Sequence, residues 1–285
     1  MKFLIINSFL HHKNKIGIEM ILDNLNYDYK YGGIEDIPNY DIIYLPAHPI
    51  DTSIYPNKKF IFGPHFSVFP DNKLLKINNN NNNSVYIQPS EWVVDLWKKA
   101  NEYLPVKQLP FPVDVDKFSI NENKNINKVF VYFKSRHPSE LNYVLEFLKS
   151  MNIEYKVFDY KKRYDESEYL NYLQECKYGI VVDAHESQGF AIEEALSCNV
   201  PLLVWGVQYM SQEYGGNYLN IPCTTIAYWN NQCGEVFYNS NELEVTFNTF
   251  INKIEEYEPR KYILENLSLE KCRDNFIKII DEIVI

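Results

Sequence analysis

Two carboxylates, Glu186 and Glu194, bracket a loop containing one glycine, Gly189, within the stretch from Asp183 to Val204. A carboxylate is a double hydrogen-bond acceptor and suits a vicinal diol, such as a sugar ring offers. The apolar run from Tyr178 to Val182 predicts a buried strand before the loop. Residues 190–198 predict a short helix after it, and Pro201 to Trp205 begins the next strand. The N-terminus of such a helix presents backbone N–H groups and the positive end of a dipole, a combination suited to phosphate. Gly189 would let the backbone approach a ligand closely. Glu193 competes with Glu194, since neighbouring helix positions point about 100° apart and cannot both face one site. His185, beside Glu186, could reach the same ligand.

Other candidates are weaker when taken one at a time. Lys134 and Arg136 follow an apolar strand and by themselves read as surface cations past a strand end. His65 stands in Phe62-Gly-Pro-His-Phe, just after another strand, where either a structural or a catalytic role is open. His11 and His12 have no acidic partners at ligand spacing and read as a loop, so no metal site is expected there. Asp114 and Asp116 have the spacing of a metal-binding pair but sit in a proline-rich segment, and no divalent metal requirement follows from them.

The elements that must hold these residues fall into two alternations. In the first, strands are predicted at 2–7, 42–45, 59–62 and 85–88, with helices at 17–24 and 90–101, the latter capped by Ser90. Short strands joined by crossovers predict a parallel sheet covered by helices. The run Asn78–Asn83 reads as a solvated loop. Leu109-Pro-Phe-Pro-Val-Asp114 cannot be helical and, with the polar stretch Asn121–Lys128, predicts an interdomain linker. The second alternation predicts strands at 128–133, 155–158 and 179–183, helices at 139–151 and 166–175, and an amphipathic helical tail at 243–256 and 260–284. Two Rossmann-like halves, 1–117 and 118–285, would face a cleft. Ligands of such sheets bind beyond the carboxyl ends of the strands.

Composition narrows the class. The 285 residues carry a formal charge of −10, which disfavours a nucleic-acid partner but not a small nucleotide that needs a few local cations. Five scattered cysteines without a CxxC pair argue for reduced thiols rather than a disulfide framework or structural zinc. No apolar run approaches the ~20 residues of a membrane span, and Phe3–Ile6 is too short for a signal-peptide core. The expectation is a soluble cytoplasmic protein. No G-x-G-x-x-G, Walker loop or G-x-S-x-G is present.

Glu186, seven residues, Glu194, with the intervening glycine and the following Ala-Leu-Ser-Cys-Asn-Val-Pro-Leu-Leu-Val, resembles the donor-site signature of retaining GT-B glycosyltransferases, particularly family 4. Gln88-Pro-Ser-Glu-Trp-Val-Val-Asp-Leu-Trp and Leu109–Phe118 are similar to the end of the first domain of those enzymes. Ile16-Gly17-Ile18-Glu19 sits where they carry a glycine pair before the first helix. The resemblance implies a GT-B fold, with a first domain reduced in size and the last helix packing back on it. It implies transfer, with retention and without a metal or other cofactor, from a UDP- or GDP-sugar to a hydroxyl of a glycan, lipid or protein. Glu194 would bind the ribose, Glu186 the donor sugar, and the backbone of Ser187, Gln188, Gly189 and Phe190 the sugar and phosphates. Gly17 and His185 would line the donor site. Lys134 and Arg136 would hold the diphosphate, although Lys134-Ser135 replaces the glycine customary before the arginine. His65 would act in catalysis. A non-catalytic GT-B module that binds a glycan or another partner is the alternative.

Overall fold

The computed structural model describes residues 1–65, 82–121 and 126–283. The chain forms two compact units, Met1–Pro112 with Leu269–Ile285, and Val113–Ser268. The first holds β1 (Lys2–Ile6), α1 (His12–Asn24), β2 (Asp28–Gly32), β3 (Ile42–Leu45), β4 (Lys59–Phe62), β5 (Ser84–Gln88), α2 (Glu91–Ala100) and β6 (Val106–Gln108). Its strands are all parallel, in the order β2-β1-β3-β4-β5-β6. β3 is buried along its whole length, as are the apolar residues of β1. Strands covered on both faces need such continuous apolar runs rather than alternation. On α2, Val93, Val94 and Trp97 turn inward, and Trp97 packs on Tyr86 of β5 with ring centroids 5.8 Å apart.

The second unit holds β7 (Lys128–Lys134), α3 (Pro138–Ser150), β8 (Lys156–Asp159), α4 (Glu166–Leu173), β9 (Cys176–Asp183), α5 (Phe190–Ser197), β10 (Leu202–Trp205), β11 (Gly234–Phe237), α6 (Leu243–Asn252) and α7 (Pro259–Asn266). These strands are also parallel, in the order β11-β10-β9-β7-β8. Val144 and Leu148 of α3 pack on the sheet with Val131, Ile180 and Leu203, and Leu141 and Leu145 flank them. Each sheet places its second strand outside its first and its third inside. Each therefore has a switch point between its first and third strands, as in doubly wound nucleotide-binding sheets.

Several boundaries differ from expectation. The division falls at Pro112/Val113 rather than 117/118, because 113–118 is tied to the second unit. Val113 N–H donates to Leu267 O (3.0 Å), and the Arg260 guanidinium holds the carbonyls of Val115 (3.0 Å) and Phe118 (2.9 Å). The proline-rich part of the expected linker is packed, with Leu109, Phe111 and Val113 buried, and 122–125 of its polar part lie outside the described residues. α8 (Leu269–Glu282) lies in the first unit, where Phe276 meets Phe3 and Asn275 donates to Gln108 O (2.9 Å). α1 starts at His12, so His11 and His12 open a helix rather than form a loop. Ser90 precedes α2 but makes no capping bond. Of the asparagine run, 78–81 lies outside the described residues. Asn83 is buried, accepting from Thr52 Oγ1 at 2.8 Å, and is no solvated loop residue. None of the five cysteines forms a disulfide. Among the described residues no helix is long and apolar enough to cross a membrane.

Candidate functional site

The switch point of the second sheet lies between β7 and β9, whose register sets Lys134 opposite Asp183 at the carboxyl ends. Each strand then turns into a helix, β7 into α3 and β9 into α5 through 184–189. Glu186 N–H donates to Thr224 O (3.0 Å), which fixes the second turn. Its side chain forms an ion pair with Lys134 Nζ, and that ammonium also stands 4.7 Å from the centre of the Tyr160 ring. The pair is not sealed in: the Lys134 side chain keeps 22% of its exposure and Glu186 14%.

Electrostatics sort the three ionisable groups. Burial penalises the Lys134 charge, but Glu186 and Asp183 beside it raise its pKa above the usual lysine value. Burial likewise penalises Glu186, but Lys134 and a hydrogen bond with Asp183 hold it below the ordinary carboxylate range. Asp183 is wholly buried, and burial together with the Glu186 charge pushes its pKa well up.

Gly189 precedes α5 with φ of +96°, a conformation that side chains disfavour. A Cβ there would meet nothing closer than 3.6 Å, so the backbone angle rather than space demands the glycine. No side chain caps α5. Ser187 and Phe190 are half-buried in the turn, while Gln188 is buried and donates to Glu193 Oε2 (3.0 Å). Both acids of α5 are buried and diverge. Glu193 faces Gln188, and burial holds its pKa well up. Glu194 acts on Tyr164 and Tyr169, whose phenols are raised by burial first and then by neighbouring charges. Tyr164 feels both Glu194 and Lys134, which links the two ends of the site. His185 Nδ1 lies 3.1 Å from Glu213 Oε2, and its ring meets Tyr218 edge-on. Burial lowers its pKa.

Three expected site residues are placed otherwise. Arg136 is 2% exposed and points into the fold. It grips Glu140 through Nε (2.9 Å) and Nη2 (2.5 Å), and its Nη1 donates to the carbonyls of Asp183 (3.1 Å) and Trp205 (3.0 Å). It staples the ends of β9 and β10 and is not presented to a diphosphate. Gly17 lies inside α1, in the first unit, where a Cβ would stand 2.8 Å from Phe111 Cβ; it is a packing glycine and not a donor contact. His65, also in the first unit, accepts at Nε2 from His11 N–H (3.2 Å) and lies 3.2 Å from Asn14 Nδ2. It braces the start of α1, and burial with the nearby His11 lowers its pKa to about 4.

Asp183 and Tyr164 also border the site, outside the expected residues. For Asp183 a signal existed: an ionisable residue closes the buried apolar run 178–182 of β9. Among the described residues no group of three or more His, Cys, Asp or Glu could hold a metal ion. A cavity of about 380 Å³ lies at the opposite end of the same sheet, lined by Leu173, Cys176, Cys198 and Tyr257, and shares no residue with the site.

No protein-family model matches the chain, and no curated protein matches it in sequence. Solved structures do match in fold. The galactosyltransferase WaaB of the lipopolysaccharide outer core, in its apo form, aligns over 100% of both chains with a TM-score of 0.62 and 11% identity. A trehalose-6-phosphate synthase, studied for glycosyl transfer with retention, aligns over 100% of both with 0.64 and 9%. S. aureus TarM, in complex with fondaparinux, α-GlcNAc-glycerol and UDP, gives 0.56 and 13% over 84% of this chain. The chain spans 55% of the length of TarM. The fold is the GT-B fold of these proteins, two Rossmann-like α/β domains with parallel sheets.

Proposed function

We propose that this chain is a glycosyltransferase that moves a sugar from a nucleoside-diphosphate sugar to a hydroxyl acceptor, with retention and without a metal. The observation that carries the reading is the half-open Lys134–Glu186 pair at the switch point of the second sheet. A diphosphate can replace Glu186 as the partner of Lys134, which frees Glu186 to accept from donor-sugar hydroxyls. The turn 187–190 supplies backbone N–H groups for sugar and phosphate. Glu194 takes the ribose, with Tyr164 between it and Lys134. In the transfer step the bond from the anomeric carbon to the diphosphate oxygen breaks and the bond to the acceptor oxygen forms on the same face. The acceptor proton passes to the departing phosphate, whose growing charge Lys134 offsets.

UDP and GDP are the expected nucleotides, and a thermal-shift series with UDP, GDP, ADP and CDP tests the reading. At about 100 times the dissociation constant a ligand stabilises by ~2.7 kcal/mol, a rise of several degrees for a chain of this size. Glu194→Ala should remove the rise while leaving the unliganded transition in place. No shift with any nucleotide would defeat the proposal.

A binding module without turnover is the second reading, and Arg136 favours it, because one of the two cations expected at the leaving group is consumed inside the fold. Incubation with a radiolabelled donor separates the two. A nucleotide that binds while no sugar is released or transferred supports the module.

A further inference from the structure

We propose that Asp183 is a positioning residue of this site, a buried carboxylic acid that donates a hydrogen bond to Glu186 and so steers that carboxylate between Lys134 and a ligand. Asp183 is 0% exposed at the end of β9. Its Oδ1 accepts from Ala184 N–H at 2.7 Å, but no donor among the described residues reaches Oδ2. A buried acceptor left without a donor is costly. A proton on Oδ2 removes the problem by turning the atom into a donor, and the adjoining Glu186 carboxylate is a hydrogen-bond partner of Asp183.

Charge balance leads to the same state. The groups facing Asp183 are Lys134 and Tyr132 from β7, Arg136 from the turn after it and Glu186 from its own turn, with His185 and Glu213 beside the Lys134–Glu186 pair. The Arg136 charge is met by Glu140. The His185 ring is kept neutral by burial. Lys134 alone remains to balance two carboxyl groups, and two adjoining carboxylates with one cation do not both ionise. The trio is therefore neutral overall. On the reading of the site as a nucleoside-diphosphate site, on which this part rests, Asp183 adds no negative charge of its own for the anion to meet. Glu186, once displaced from Lys134, stays tethered by Asp183 in reach of the sugar.

The test uses Asp183→Asn, which keeps the shape and an N–H donor but cannot ionise, and Asp183→Ala, which has neither. The first measurement needs no ligand: unfolding by urea as a function of pH. A carboxyl with a raised folded value contributes stability that is complete below its unfolded value of 3.8 and is lost as pH rises towards the folded one. Asp183→Asn lacks that loss, so its stability relative to wild type should grow as pH rises from about 4 to neutrality. The infrared band of a protonated carboxyl should disappear in the same variant. The second measurement is UDP and GDP affinity, in which Asp183→Ala should lose about ten-fold or more relative to Asp183→Asn. A falling relative stability of Asp183→Asn with pH and an unchanged infrared band overturn the proposal, whether or not Asp183→Ala folds. Equal affinities of the two variants for a nucleotide that binds wild type also overturn it. If neither nucleotide binds wild type while the pH trend and the infrared loss hold, the functional reading of the site fails and the hydrogen-bonded acid stands.

Discussion

The two sheets share one topology and use it for opposite purposes. Both run their first strand between the second and the third, and both leave a crevice where the order reverses. At the first, between β1 and β3, the His65 ring is held neutral by burial and by His11. His65 N–H donates to Pro46 O (2.8 Å), its ring accepts from His11 N–H, and Phe9 covers it edge-on at 5.2 Å. At the second, between β7 and β9, an ammonium and a carboxylate remain partly exposed and can exchange partners. Topology supplies the crevice, and the residues ending the strands decide whether it holds a neutral packed ring or a partly exposed ion pair. A neutral ring whose Nε2 is met by the His11 N–H and the Asn14 side chain has nothing to trade with an anion, whereas the Lys134–Glu186 pair does.

The sharpest way to break this contrast is Lys134→Ala. Loss of one preorganised group that stabilises a departing anion typically costs ~10²–10³-fold in turnover. The nucleotide-induced rise in melting temperature should vanish with it. Arg136→Ala is the counterpart within the same turn and should act on folding. Removing one partner of a buried charge pair costs ~3–5 kcal/mol, here because Glu140 and two strand-end carbonyls lose their donor. Urea unfolding should report the loss. Should Arg136→Ala keep its stability and lose nucleotide binding, the two residues have exchanged roles and the contrast within the turn is void.

The first crevice makes a smaller prediction, through pH. The ring of His65 is held to about 4 by burial and by His11, below the ordinary value of 6.5. The unfolded chain therefore binds a proton more readily than the folded one between these values. Stability should be complete above pH 6.5 and fall as pH drops towards about 4, by a contribution on the order of 1–3 kcal/mol. His65→Ala should flatten that part of the stability profile, measured by urea unfolding at a series of pH values. A nucleotide-binding profile that follows the His65 proton instead would make the first crevice a functional site.

Much of the frame was legible in the residues, and the misses have a common cause. β3 and β4 were read with their observed limits, because strands covered on both faces need unbroken apolar runs. The unread strands β2, β6 and β11 all lie at sheet edges. β2 reads Asp-Tyr-Lys-Tyr-Gly, alternating exposed and half-buried, and carries no apolar run to notice. At the site, Glu186 and Gly189 could be picked out because their chemistry lies in type and spacing, whereas Lys134 by itself read as a surface cation and stood out only through the resemblance. The inward turn of Arg136 could not. Its acceptors end β9 and β10, which meet only once the sheet order is set. Asp183 was passed over for the same reason, since its place opposite Lys134 is a matter of register.

The smallest expected effect concerns the residue between the two cations. Ser135 has φ of 52°, in the left-handed region, and its carbonyl accepts from Tyr214 N–H at 2.8 Å. The resemblance leads one to expect a glycine just before Arg136, and the backbone still takes the shape a glycine would allow. A side chain there costs ~1–2 kcal/mol, whereas glycine gives back ~0.5–1 kcal/mol through the greater freedom of its unfolded chain. Ser135→Gly should therefore stabilise by up to ~1 kcal/mol, and Ser135→Val, whose branched side chain tolerates this angle poorly, should destabilise by more than that. Both are read from urea midpoints at unchanged slope. Equal effects of glycine and valine would mean that the turn relaxes without strain. The shape of the backbone between Lys134 and Arg136 would then not be what keeps one cation at the site and the other in the fold.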